Sequence, residues 1–265
     1  MVRTSKRSGA APPKGFTNED RLNPPGLRSG VSRFARWALE SRHSVGVQSP
    51  PDCLFPTRVN LRMKTVATSI PGYTYGATDI PASPVSLQDL ERLKISAGFT
   101  DEDAHFLRLA GEVLSDQTEK IVAHWRSGII AGIPHLARHS RSPEGDPLPH
   151  YLANSNLRFR QWILDTCLRP YDQDWINYQQ EIALRHTSSK KNRVDDVRST
   201  PYVPLRDVLA FIAVINETIK PYLAAKGHTA AEVDKMHLAW CKSMQLQMAL
   251  WIGPYTATGQ VPSEW

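Results

Sequence analysis

Between residues 86 and 255, apolar positions recur every three or four residues, in blocks separated by proline, glycine and short polar runs. That period turns one side of a helix toward a core. Residues 86–96 predict a short first helix. Thr100, with Asp103 three positions later, reads as a capping box that opens a second helix reaching Leu114. A third is predicted over 116–130, stopped by Gly132 and Pro134, and residues 143–149 read as a loop between prolines. Residues 151–166 place Leu152, Phe159, Ile163 and Thr166 on one face, and residues 172–185 continue the pattern. The strongly apolar stretch 204–225 follows, with Gly227 as its stop. Thr229 and Glu232 cap a last helix running to Trp251, which Gly253-Pro254 is expected to end. No period-2 run suggests a strand and no internal repeat is visible, so the fold class is all-α.

Charge changes the picture once it is located. The 265 residues carry a formal net charge of +6 and are 41% hydrophobic, enough to bury a core in one or two domains. Residues 1–62 hold eleven Lys and Arg against four acids, while residues 63–265 come to −1. The basic segment is punctuated by Pro12-Pro13, Pro24-Pro25 and Pro50-Pro51, a composition that cannot bury enough apolar surface to offset ordering. It is expected to be a disordered basic leader, or an upstream extension ahead of a true start at Met63. Its Arg- and Ser-rich, acid-poor texture also resembles a transit peptide. The body has no basic face, so a nucleic-acid partner is not expected. The longest uninterrupted apolar run is 208–215, core-helix length against the roughly 18 residues of a membrane span, and no membrane partner is expected. Cys53, Cys167 and Cys241 form neither a disulfide framework nor a C-x-x-C pair. A cytoplasmic setting is expected, with organelle import through residues 1–62 as the alternative.

Histidines are the main chemical candidates. His135 and His139 are four apart, but Leu136 stands where a zinc protease needs its glutamate, and exposed histidines are the simpler reading. His237 and Cys241 share a helix face and are read as packing or surface residues. His186 ends the segment DQDWINYQQEIALRH, and Ile182, Tyr178 and Trp175 stand four, eight and eleven positions before it. Eleven residues at 100° return close to the same direction, so the imidazole projects from an apolar stripe toward the core. Taken alone, that pattern also suits a hydrogen-bonded core histidine.

The wider wording goes further. The segments IPGYTYG (70–76), FRQWILDTC (159–167), YDQDWINYQQEIALRHTSSKKN (171–192), KGHTAAEVDKMHLAW (226–240) and LQMALW (246–251) closely resemble the protoglobins, single-domain relatives of the globin-coupled sensors. The likeness runs in order through residues 70–255. It implies a globin-like helical sandwich with an extra N-terminal helix. The corresponding domain would span residues 63–265, with an extension (63–85) that helps bury haem ahead of a globin core (86–255). It further implies haem b with its iron held by His186 on the proximal side, Trp125 and Phe159 on the distal side, and Phe211 and Ile215 as apolar contacts. Reversible binding of O₂, CO and NO and a homodimer built on the last two long helices follow from the same resemblance. A role in gas sensing or in NO or nitrite chemistry is open, no catalytic residue is assigned, and a dedicated enzyme is not expected.

Elementary chemistry agrees with these roles. Iron needs a neutral imidazole whose other N–H is oriented by an acceptor, and the Ile182 carbonyl is the obvious one. Met236, Trp240, Met244, Leu246, Leu250 and Trp251 offer more apolar surface than one helix face buries, which favours the dimer. Two features depart from the family pattern. Arg126 follows Trp125 where the family commonly has Tyr, and the turn after it is longer by one residue. A solvent-facing Arg126 is favoured, since an uncompensated buried cation is costly. The run Lys190-Lys191-Asn192-Arg193 reads as a solvated loop, with neutralisation of haem propionates as the alternative. The rival to the whole reading is a haem-free all-α interaction module.

Overall fold

The computed structural model describes residues 69–257 and 259. The chain divides into units Met1–Met63 and Lys64–Trp265, and all described residues belong to the second. The basic leader assigned to residues 1–62 lies outside the described residues.

Eight α-helices are present among the described residues: α1 (Leu87–Ala97), α2 (Asp101–Leu114), α3 (Thr118–Ala123), α4 (Pro134–Ala137), α5 (Pro149–Leu168), α6 (Gln173–Leu184), α7 (Leu205–Leu223) and α8 (Ala230–Ala257). No strand accompanies them there, only an isolated bridge between Arg141 and Pro147. The architecture is all-α, as the apolar period requires. Ser86 with Asp89 and Thr100 with Asp103 both form complete capping boxes. Asp103 also receives Lys242 Nζ of α8 at 2.8 Å, and the same ammonium donates to the Gly98 carbonyl at 2.6 Å. One lysine therefore ties the α1–α2 corner to the last helix.

Helix α8 is the axis of the core. It packs against α1, α2, α6 and α7, and α5 closes the layer over α2 and α3. Its Met236, Trp240, Met244, Leu246, Leu250 and Trp251 are all at most 5% exposed. These six residues are thus taken up inside one chain, which removes them as an argument for a dimer. Helix α8 also continues through Gly253-Pro254 to Ala257. Proline costs it one backbone hydrogen bond, but Tyr255 is fully buried and its hydroxyl donates to the Val203 carbonyl at 2.8 Å. That tertiary anchor holds the extra turn.

The predicted third helix differs more. It is α-helical only to Ala123, widens into a π-helix over His124–Ile129 and tightens into a 3-10 turn over Ile130–Gly132. The run Ser-Gly-Ile-Ile-Ala-Gly supplies poor α-helix formers there, and inserted π-turns are frequent at functional sites. By length and composition, Leu205–Lys226 suffices to cross a membrane, with mean hydropathy 1.4 in its most apolar window and 22% of that window buried. Counting consecutive apolar residues alone does not reveal this. Within the unit, Ile212, Ile215 and Ile219 face the core.

Helices α2 and α5 approach closely because Gly111 lacks a side chain. A Cβ there would stand 2.5 Å from Leu168 Cδ2 and 2.7 Å from Cys167 Cβ. Alanine would gain about 1 kcal/mol of helix propensity. Overpacking against a backbone-fixed Cβ costs about 1–3 kcal/mol and dominates. Gly111→Ala is therefore expected to lower the urea midpoint of unfolding; a higher midpoint would show that the two helices separate freely.

Candidate haem site

A cavity of about 240 Å³ opens between α5, α6, α7 and the loop after α6. One water needs only about 10–15 Å³, so this space is far larger than a hydration site. Phe159, Phe211, Ile215 and His186, each expected at the cofactor, all line it, with Trp162, Ile182, Val208, Ile212 and Trp251 completing much of the apolar wall.

Helix α6 ends at Leu184, and His186 sits in the turn just beyond. Its backbone N–H donates to the Ala183 carbonyl at 2.9 Å, and its carbonyl receives Val203 N at 2.8 Å, so the residue is fixed on both sides. The ring Nδ1 lies 2.9 Å from the Ile182 carbonyl. A carbonyl can only accept, so Nδ1 carries the hydrogen and Nε2 keeps a bare lone pair. Burial depresses the imidazole pKa to about 4, with Lys191, Arg126 and Arg185 acting in the same direction and the Ile182 bond opposing. The ring is neutral at pH 7. It stacks on Trp251 at 5.3 Å and 28°, and Trp251 Nε1 donates to Gln179 Oε1 at 2.9 Å. The imidazole plane is thus set by a buried chain reaching from α6 to α8.

Trp125 takes a different place. It is fully buried and does not line the cavity: its Nε1 donates to Thr218 Oγ1 at 2.8 Å, and its ring packs on Phe159 at 5.2 Å. It backs Phe159 and does not itself face the space. Arg126 is the residue that does. It lines the cavity with its guanidinium 5.3 Å above the Phe159 ring, contrary to the solvent-facing reading. The π-turn explains the reversal, because it rewinds the chain just where the two residues diverge.

The cations around the cavity fall into two groups. Arg158 pairs with Asp195, and Arg185 with Glu181. Lys191 and Arg126 have no carboxylate within ion-pairing distance among the described residues. Lys191 is 4% exposed, so it does not belong to a solvated loop; it donates to the His139 carbonyl at 2.9 Å and sits over the Tyr151 ring. Burial lowers its pKa to about 8, with Arg126 adding to the effect and Asp195 opposing it. Lys190 instead pairs with Glu181 at 2.6 Å. His139 is buried and not exposed: Nδ1 meets Thr200 Oγ1 at 2.7 Å, while Nε2 has no hydrogen bond and stands 3.7 Å from Asp207 Oδ2. Burial holds its pKa near 4, helped by Arg138 and Lys191.

Residues 70–76 are fastened to side chains that line the cavity. Arg158 donates to the Pro71 carbonyl at 2.7 Å, and Arg185 donates to the Gly72 carbonyl and to Thr74. Tyr73 and Tyr75 stand edge-on to Tyr178, which lines the cavity. Gly72 has φ +69°, and a Cβ there would stand 2.6 Å from Val194 Cγ1. Only glycine allows this strap to lie so close.

A family model described as Protoglobin matches residues 86–260. The chain belongs to the protoglobin family. No curated protein matches the chain. Protoglobins are globin-type proteins, and the globin fold generally carries haem. This protoglobin's residues fit that group: a neutral histidine with a free nitrogen lone pair, apolar and aromatic walls, and two cations without carboxylates to meet an anionic cofactor. No cluster of three His, Cys, Asp or Glu side chains offers a separate metal site among the described residues.

His186, Phe159, Phe211 and Ile215, expected from the sequence, meet at one cavity. Trp251, which its apolar helix pattern disguised as ordinary core, and His139, whose burial only the fold creates, join them there unforeseen.

His139 and His186 bind protons less readily in the folded chain than in the unfolded chain, where imidazole titrates near 6.5. Between about pH 6.5 and pH 4 the unfolded chain takes up protons that the folded chain refuses. Stability of the haem-free protein should fall on acidification through that window, by up to about 1.4 kcal/mol per pH unit for each histidine. Urea midpoints at pH 7 and pH 5 should show a smaller loss in His139→Gln than in wild type. Equal losses would remove His139 from the account.

Proposed function

We propose that this protoglobin is a haem-b protein that reversibly binds O₂, CO and NO, with His186 as the axial ligand to iron. The observation that carries the reading is the tautomer: the Ile182 carbonyl claims Nδ1–H, and the free Nε2 belongs to a residue lining a large apolar cavity. Haem, if bound, would be held through His186 and would supply an iron able to take a diatomic ligand. The chain's own residues supply the rest. Trp251 and Gln179 hold the imidazole plane, Phe159 backed by Trp125 restricts the space at the distal wall, and residues 70–76 are fastened to side chains that line the cavity. Phe211 and Ile215 of α7 supply further apolar surface for the cofactor.

Visible spectra of the ferrous protein with and without each gas test the reading directly. An intense Soret band that shifts with every gas is expected, and a colourless protein of full helicity would reject the haem reading. His186→Ala should lose stoichiometric haem while keeping most of its helix content. Normal occupancy in that variant would mean that another group holds the iron. The haem-holding domain is proposed as residues 63–265, with 63–85 as its covering extension. Deletion of 1–62 should therefore leave haem content intact, whereas deletion of 1–85 should reduce it.

We also propose a homodimer through α7 and α8. Leu209, Leu238 and Ile252 on these helices are 42%, 53% and 45% exposed. Sedimentation at micromolar concentrations should give twice the chain mass; a monomer would exclude the interface.

A further inference from the structure

Of the four cations lining the cavity, Arg126 is the one with no polar partner. Arg158 and Arg185 have their carboxylates and also hold the strap, and Lys191 has a carbonyl and a ring. Arg126 has only the face of Phe159, and its Nε is buried without a hydrogen bond. The titratable groups whose fields reach it are Tyr151 and Arg158, with Lys191 and His186 sensing its charge in return. The two carboxylates of the cavity wall are engaged elsewhere, Asp195 by Arg158 and Asn154, and Asp207 beside His139 Nε2 at 3.7 Å. A guanidinium carries five N–H donors in a planar fork suited to two oxygens of one anion. The side chain is half-buried and lines the cavity, so an anion there would meet donors that no carboxylate occupies.

We propose that Arg126 makes this cavity a receptor for a small oxyanion or carboxylate, held by charge-assisted hydrogen bonds from the guanidinium above Phe159. The chemistry has two sources, a free anion such as nitrite or a carboxylate of the cofactor itself. In either case the residue adds an anion preference that an apolar and aromatic pocket lacks. The inference builds on the haem reading, although Arg126 is open to an anion with or without the cofactor.

The test uses the full chain as wild type, Arg126→Leu and Arg126→Lys. In the ferric haem-loaded protein, Arg126→Leu should weaken nitrite binding about 10- to 100-fold, the range set by losing one charged hydrogen bond. Arg126→Lys should retain most of the affinity, and neutral imidazole should bind all three alike. If nitrite affinity does not change, haem and its dimethyl ester are compared for their rates of loss. A wild-type advantage over Arg126→Leu that is present with haem and absent with the ester assigns the anion to the cofactor's carboxylate. No effect of Arg126→Leu in either arm overturns the proposal. Should the protein take up no haem, the haem reading fails separately. The melting temperature in nitrite then decides: a rise in wild type that Arg126→Leu lacks supports the anion site, and equal responses overturn it.

Discussion

A helix that is apolar over most of its circumference must be covered on several sides. Helix α8 is that helix here, with thirteen of its twenty-eight residues buried and one exposed strip through Asp234, Lys235, Leu238, Gln245 and Ile252. Enclosing it requires partners on several sides, and α1, α2, α6 and α7 are those partners. The cavity is a product of the same arrangement. Where α6 and α7 diverge over the C-terminal part of α8, Trp251 supplies the floor against which His186 stacks. The buried polar atoms of α8 follow the same logic. Gln247 accepts from Trp162 Nε1 and donates to Thr166, and Ser243 meets the Tyr171 hydroxyl of the α5–α6 connection, whereas Trp240 Nε1 is buried without a hydrogen-bond partner.

Much of this was legible in the sequence because it depends on local rules. Capping boxes at Thr100 and Thr229 act within four residues, and both form. His186 could be aimed from the apolar stripe that precedes it, and its acceptor could be named, because Ile182 lies one helical turn back. The family resemblance then selected one meaning for that histidine among several.

What escaped depends on long-range geometry. The π-turn at 124–129 changes which of Trp125 and Arg126 faces the cavity, and no single-residue propensity encodes it. Lys191 looked solvated in a charged run, yet the loop after α6 folds it under Tyr151 and the His139 carbonyl. Its burial is tolerable because a long stem can pack while the ammonium finds a carbonyl. The end of α8 escaped for a related reason: a hydrogen bond from Tyr255 to Val203, fifty-two residues away, outweighs the local stop signal of Gly253-Pro254.

The strap over residues 70–76 couples two properties that are usually separate. Arg158 and Arg185 hold its carbonyls with the same guanidiniums that pair with Asp195 and Glu181 beside the cavity. Peeling the strap away therefore alters the hydration and field of the pocket wall, and filling the pocket changes the free energy of keeping the strap down. Thermodynamic reciprocity makes the two effects equal in size. Whatever occupies the cavity should protect the backbone of residues 70–76 from hydrogen exchange to the degree that a well-seated strap tightens its hold on the occupant.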